Sequence, residues 1–537
     1  MFTVGVPRLK TLIMKSKLAL AIIIRVSLLC AFGFYFSGAR AWQSDNGDGT
    51  FTNPPLYADY PDPDIIRVGN DFYFVTTTFV NVPGVTVLHS LDLVNWEIVS
   101  HVVPRLDGRE QYDLKNGAAY RQGMFAASLR FFQGTFYIVV TPVNQKTRVY
   151  YAEDIRGPWR FHELDRAAFD PGLFIEPDGT GYIATSGGWD GHVTLLKLSS
   201  DFSKVVEVRG IFYYKGVEGS HVVKRGDWYY IFNARPSNLS LMCSRATNIF
   251  GPYETRESLN DRTGGHQGAI VDLPDGKWYG FVMKDCGAVG RMTYLSPIFW
   301  TNNWPVWGMP EAPGKVPVAA RKPIQGKPIC QPATSDDFNS PILGLQWQWN
   351  HNPDNSRWSL TERPGFLRLR PTMATNFWFA RNTLTQKGQG PWSRGEVKFD
   401  LSHLQAGDVC GFGTLGKTNG QICVNCGSNG ATTLNMNVIT PVDPRSTELW
   451  QTNLASAPFT GTNLYLRTAL NFTNNLGLCS YSADGTNWTA LGGPFNLAYD
   501  WQTGTFQGEK FAIFCFNPDP GDGFVDVDWF HFSNKSK

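Results

Sequence analysis

Apolar residues along this chain come in short runs interrupted by turn residues, the pattern of β-strands a few residues long rather than of long amphipathic helices. One unit recurs. A turn leads into an aromatic strand at Gly69-Asn-Asp-Phe-Tyr73, Gly134-Thr-Phe-Tyr137, Gly179-Thr-Gly-Tyr182, Gly226-Asp-Trp-Tyr229 and Gly276-Lys-Trp-Tyr279, with tyrosine spacings of 64, 45, 47 and 50 residues. A second motif follows four of these at comparable offsets: Ser90-Leu-Asp-Leu-Val-Asn-Trp96, Ala152-Glu-Asp-Ile-Arg-Gly-Pro-Trp159, Ser199-Ser-Asp-Phe202 and Ser244-Arg-Ala-Thr-Asn-Ile-Phe-Gly-Pro-Tyr253. A sheet of a few short strands cannot bury both faces alone, so units of this size predict stacked propeller blades. Five units predict an all-β, five-bladed β-propeller over residues 50–315.

From Ala312 to Thr334 the chain is rich in proline and basic residues, and a linker is expected over 316–335. Short alternating strands resume beyond Asp336, predicting a second all-β domain over 336–535. Glycine and proline, 54 and 33 residues, make up about 16% of the chain against a usual ~12%. With 42% apolar and 18% charged residues, disorder is excluded as the main state.

Residues 1–41 carry Arg8, Lys10, Lys15, Lys17, Arg25 and Arg40 but no acid, then end on Ala39-Arg40-Ala41. This reads as a secretory signal peptide, starting at Met1 or Met14, and places the protein outside the cell or in the periplasm. Arg25 splits the apolar run, so a membrane span is not expected in the mature chain. Without this segment, 42 Lys+Arg face 46 Asp+Glu, a net charge of −4, and nucleic acid is not the expected partner. Eight cysteines remain. Cys423 and Cys426 form a lone C-x-x-C that reads as packing or a surface disulfide rather than a zinc site.

Counting 11 to 13 residues back from each repeated tyrosine gives Asp62, Ala126, Asp170, Glu218 and His266. Equivalent positions on the innermost strands of a propeller converge on its axis, so three carboxylates and a histidine are predicted to meet there. Taken singly, Asp62 and Asp170 beside prolines are turn-cappers and His266 a core histidine. The shared register argues for a common role, because grouped acids repel one another unless something uses them. Two carboxylates across a sugar-sized pocket can hydrolyse a glycosidic bond, one activating water and the other protonating the leaving group. A third acid would raise the proton donor's pKa.

These residues are similar to glycoside hydrolase family 43, whose members include β-xylosidases and α-L-arabinofuranosidases. The resemblance rests on Tyr60-Pro-Asp-Pro-Asp64, Thr77-Thr-Phe-Val-Asn-Val-Pro-Gly84, Phe169-Asp-Pro-Gly-Leu173, Glu218-Gly-Ser-His221 and Gly290-Arg-Met-Thr-Tyr-Leu-Ser-Pro297, in that order. It implies Asp62 as general base, Glu218 as general acid and Asp170 as the residue that tunes the acid. His266 and Arg291 are implied as active-site supports and Phe79 as a wall of the sugar pocket. The family's usual Trp-Ala-Pro in the second blade reads Phe125-Ala126-Ala127 here, so Phe125 shapes that edge of the pocket differently. The resemblance further implies inversion at the anomeric carbon, an oligosaccharide or polysaccharide partner and no required cofactor; some relatives hold a calcium ion on the axis near the position of His266. Asp336-Asp-Phe338, Trp347-Gln-Trp349 and Asp526-Val-Asp-Trp-Phe530 resemble the lectin-like, concanavalin A-like β-sandwich of such enzymes, which can rim the active site, with Phe506 or its neighbours as the candidate contact. The alternatives are a retaining fructan-active propeller, whose Trp-Met-Asn-Asp-Pro type motif is lacking, and a non-catalytic sugar-binding propeller, which should have lost one of the three acids.

Overall fold

A computed structural model describes residues 42–534 except 188–189, 444–447 and 520. The export segment therefore lies outside the described residues. Among those described, no helix is long and apolar enough to cross a membrane.

Five antiparallel sheets follow one another along the chain, each built from consecutive strands except the first, which skips Asn81–Val82. Their first strands are Asp64–Val68, Met124–Phe132, Gly172–Ile175, Glu218–Arg225 and His266–Asp272. The repeated tyrosines lie on the second strands, from Tyr73 on Asp71–Thr76 to Tyr279 on Trp278–Asp285. The turns between first and second strands carry Gly69, Gly134, Gly179, Gly226 and Gly276, with φ between 58° and 90°, which glycine enters without a Cβ penalty. The second motif caps the turn after the third strand. Asp92, Asp154, Asp201 and Asn248 each accept a backbone N–H two residues on, at 2.8 to 3.1 Å.

Each blade buries its outer faces against its neighbours. Phe74 and Trp96 of the first blade pack on Phe281 of the fifth, ring centroids 5.7 Å apart, while Tyr230 and Phe232 of the fourth join Ile270 and Trp307 of the fifth. Burying such side chains is worth roughly 1.5 to 3 kcal/mol each, and these seams hold the ring together. The ends of the propeller are joined where Thr50–Thr52 pairs with Ala319–Arg321. Beside that pair Lys322, inside the proline-rich stretch, is buried against Asp45 and Asp92, the latter at 2.8 Å.

Beyond it, a nine-stranded and an eight-stranded sheet form the sandwich. Its core includes Trp347, Phe399, Phe412, Phe511 and Phe530. One strand of the nine comes from elsewhere. Asn81–Val82, in the first blade, pairs with Gln348–Asn350 of the sandwich, so the two share a sheet. All eight described cysteines are free thiols, and Cys423 and Cys426 are packed inside the sandwich.

Candidate active site

The innermost strands run from one mouth of the propeller to the other, and their starts place the predicted acids together. Asp62 precedes the first inner strand, Asp170 the third, and Glu218 opens the fourth. Asp62, Ala126 and Asp170 line, with Gly219 and Gln267, a small cavity on the axis with room for about one water molecule. All five blades thus meet there, the first three through the register residues themselves and the fourth and fifth through Gly219 and Gln267, which follow Glu218 and His266.

The local backbone is held in unusual shapes. Asp62, Asp170, Phe79, Gln267 and Phe506 all have φ between 42° and 61°, a region costly for residues other than glycine. Such conformations persist only where surrounding structure over-determines them. For Asp62 the restraints are visible: the carbonyl of Pro61 accepts Thr76 Oγ1–H at 2.5 Å, Tyr60 N–H donates to the Arg291 carbonyl at 3.1 Å, and Asp62 N–H donates to Met283 Sδ at 3.2 Å. For Asp170, the carbonyl accepts Ser220 N–H at 3.3 Å from the blade that carries Glu218.

Arg291 opens the third strand of the fifth blade and is fully buried. Its backbone N–H donates to Asp59 Oδ1 at 2.8 Å and its Nη1 to Asp62 Oδ1 at 2.9 Å. The guanidinium lies 5.5 Å from the ring centre of Phe79 and 4.1 Å from that of Phe506. Its Nε and Nη2 are buried with no protein partner, two donors left for a ligand.

The electrostatics separate the acids. Burial pushes Glu218 up to about 7, with the charge of Asp62 adding and that of Arg291 opposing. Asp170 is held well above the usual carboxylate range, by burial first and then by Glu218 and Asp62. The sequence reading assigned the elevation of Glu218 to a third acid; the structure makes burial the larger cause and Asp62 the charge that adds to it. Asp62 is the one of the three that bonds a cation.

His266 opens the fifth inner strand, its Nδ1 donating to the Gly264 carbonyl at 2.9 Å. Phe79 is buried and meets the half-buried Phe125 edge-on at 5.1 Å. Phe506 comes from the sandwich and lies 5.4 Å from Phe79. Sequence reasoning missed Asp59, which fixes the Arg291 backbone, and Asn81, which ties the Phe79 loop to Gln507 at 2.7 Å. Neither stands in the blade register, so no periodic signal marks them. His221, quoted only as part of a motif, turns out to be structural. Its Nδ1 is 2.6 Å from Asp64 Oδ1, and Arg130 bonds the other oxygen of Asp64 at 2.9 Å, a buried link between the first, second and fourth blades.

Calcium takes six to eight oxygen ligands. Among the described residues no group of three or more acidic, histidine or cysteine side chains is arranged to hold a metal, and His266 offers a ring nitrogen.

Comparison with known proteins agrees with this architecture. Residues 51–305 match the model for glycosyl hydrolases family 43, and residues 335–533 match that for the beta xylosidase C-terminal concanavalin A-like domain. A beta-xylosidase of Formosa agariphila is 30% identical across 91% of both chains. A non-reducing end alpha-L-arabinofuranosidase of Bacteroides ovatus is 33% identical across 65% of this chain and 69% of its own. The solved structure of a bifunctional GH43-CE protein of Bacteroides eggerthii superposes with a TM-score of 0.82 at 33% identity, covering 90% of this chain and 64% of that longer one. With a family match over each of the two domains, and a relative 30% identical across 91% of both chains, the chain belongs to glycosyl hydrolases family 43.

Proposed function

We propose that the protein is an exo-acting, inverting glycosidase that removes xylose or arabinofuranose from the ends of xylo-oligosaccharides or from the side chains of (arabino)xylan. The observation that carries this reading is the meeting of Asp62, Asp170 and Glu218 at one end of the propeller axis, with Arg291 bonded to Asp62. Asp62 takes a proton from water as its oxygen attacks the anomeric carbon. Glu218, protonated near neutrality because it is buried, gives its proton to the departing glycosidic oxygen. Both protons are accounted for, and water enters opposite the leaving group, which inverts the centre. Asp170, itself held above the usual carboxylate range by burial and by the charges of Glu218 and Asp62, keeps a proton within the pair.

The two unpartnered donors of Arg291 suit sugar hydroxyls, and Phe79, Phe125 and Phe506 supply apolar walls for the ring faces. A wall supplied by the sandwich closes the pocket on one side, which favours a chain end over the middle of a polymer. Relatives named for xylose and for arabinofuranose release both support this pair of sugars. Export through the segment 1–41 belongs to the same reading, since polymeric xylan lies outside the cell. Cell fractionation and N-terminal sequencing of the mature protein near Trp42 test it.

Proton NMR of the first-formed sugar tests the mechanism. A β-xyloside should give α-xylose before mutarotation; initial β-xylose or a trapped glycosyl-enzyme would refute inversion. Paired aryl xyloside and arabinofuranoside substrates decide which sugar is preferred.

A further inference from the structure

Beside the sugar pocket, where the sandwich meets the propeller, three polar side chains are sealed from water. Asn81, Gln507 and Lys510 are all at most 5% exposed. Asn81 Nδ2 donates to the Thr78 carbonyl and to Gln507 Oε1, both at 2.7 Å. Lys510 Nζ donates to Asn81 Oδ1 at 3.0 Å and also to Gln507 Oε1. One ammonium thus holds an amide from each domain. Those amides stand next to Phe506 and two residues past Phe79, and the two rings are the ones that flank Arg291.

We propose that Lys510 is a positioning residue that sets the two aromatic walls of the sugar pocket by gripping Asn81 of the propeller and Gln507 of the sandwich at once. The proposal rests on the functional reading above. A buried ammonium bonded to two neutral amides is an expensive way to fill space, and methionine would fill it more cheaply. What lysine adds is a compact head whose three donors can reach two oxygens arriving from different directions. Phe79 and Phe506 both sit at positive φ, so each ring needs an external restraint to stay in place. Asn81 gives that restraint directly, because its Nδ2 bonds the carbonyl of the residue before Phe79. Burial, with Lys387 adding, lowers Lys510 to about 7, which agrees with a site enclosed on every side.

A double-mutant cycle in the full chain tests the clamp. Lys510→Met keeps the stem and removes the donors, and Gln507→Ala removes the sandwich's acceptor. On the aryl glycoside that the wild type hydrolyses, each single variant should raise KM roughly tenfold, about 1.4 kcal/mol, and raise the inhibition constant of the free product sugar with it. The double variant should be no worse than the poorer single, because all three states lack the same clamp. If Lys510→Met does not fold, the cycle between Asn81→Ala and Gln507→Ala takes its place. A lower melting temperature with unchanged KM and inhibition constant would overturn the positioning role, as would effects that multiply. Inactivity of the wild type on every aryl glycoside would instead sink the functional reading on which the clamp rests.

Discussion

Glu218 shows how one side chain's surroundings define its chemistry. A carboxyl with an ordinary value of 4.5 is pushed to about 7, chiefly by burial, so near neutrality it retains the proton an acid catalyst must donate. kcat/KM should therefore fall as pH rises through about 7, and Glu218→Gln should lack that alkaline limb. The same shift has a sign in stability. A carboxyl whose folded value exceeds its unfolded one costs stability once it must ionise, so Glu218→Gln should melt higher than wild type above pH 7. That advantage should shrink as pH falls and vanish near 4.5; differential scanning calorimetry across pH checks it. Asp62→Ala and Glu218→Ala should each lower kcat by at least about 10²-fold with the fold intact, read by steady-state kinetics and circular dichroism. An aryl leaving group that needs little protonation should spare Glu218→Ala more than Asp62→Ala.

At the scale of strands, the inner ring is tied by charge as well as by packing. Burial pushes Asp64 up, yet Arg130 and His221 outweigh it and hold the carboxyl well below the usual range. Asp64→Ala would leave Arg130 and His221 without this buried partner and should cost about 3 to 5 kcal/mol in urea unfolding. The stability gained through this carboxylate is present above its ordinary value of 3.8 and is lost as pH falls below it, so wild type and variant should converge in acid. The loop after Phe506 shows a different constraint. A Cβ on Gly508 would stand 2.1 Å from the Val289 carbonyl oxygen, and the next residue, Glu509, donates its N–H to the Ala288 carbonyl at 2.9 Å. Gly508→Ala should push the sandwich loop off the fifth blade and weaken sugar binding, which a higher KM in the purified variant would show.

Across the whole molecule, the sandwich is part of the pocket rather than an appendage to it. It takes Asn81–Val82 into its sheet, places Phe506 against Arg291, and has Tyr499 donating its hydroxyl to Asp285 of the fifth blade at 3.3 Å. Phe506→Ala should then act as a pocket mutation although it lies in the second domain. We expect KM to rise about tenfold with a melting temperature close to wild type, since the aromatic wall is lost but the sheet pairing stays. A large melting shift with normal KM would mean that Phe506 serves the domain seam alone.

The five blades and the three acids were legible in the chain because their causes are local and repeat. A hairpin turn at positive φ calls for glycine, a capped turn calls for aspartate or asparagine, and the tyrosine three residues after the turn in four blades, four in the first, fixes a count back to the inner strand. Asp62, Asp170 and Glu218 stood out by sharing that count. Arg291 was found through resemblance and not through spacing, for it bonds Asp62 across 229 residues and no period connects them. Phe506 was only a candidate, Asn81 stood unremarked inside a quoted motif, and Asp59 and Lys510 carried no signal, because their partners belong to another domain or another blade. What sets Glu218 apart as the proposed proton donor was likewise decided in three dimensions: residue type makes a carboxyl, but the burial that raises it exists only once the blades have closed around the axis.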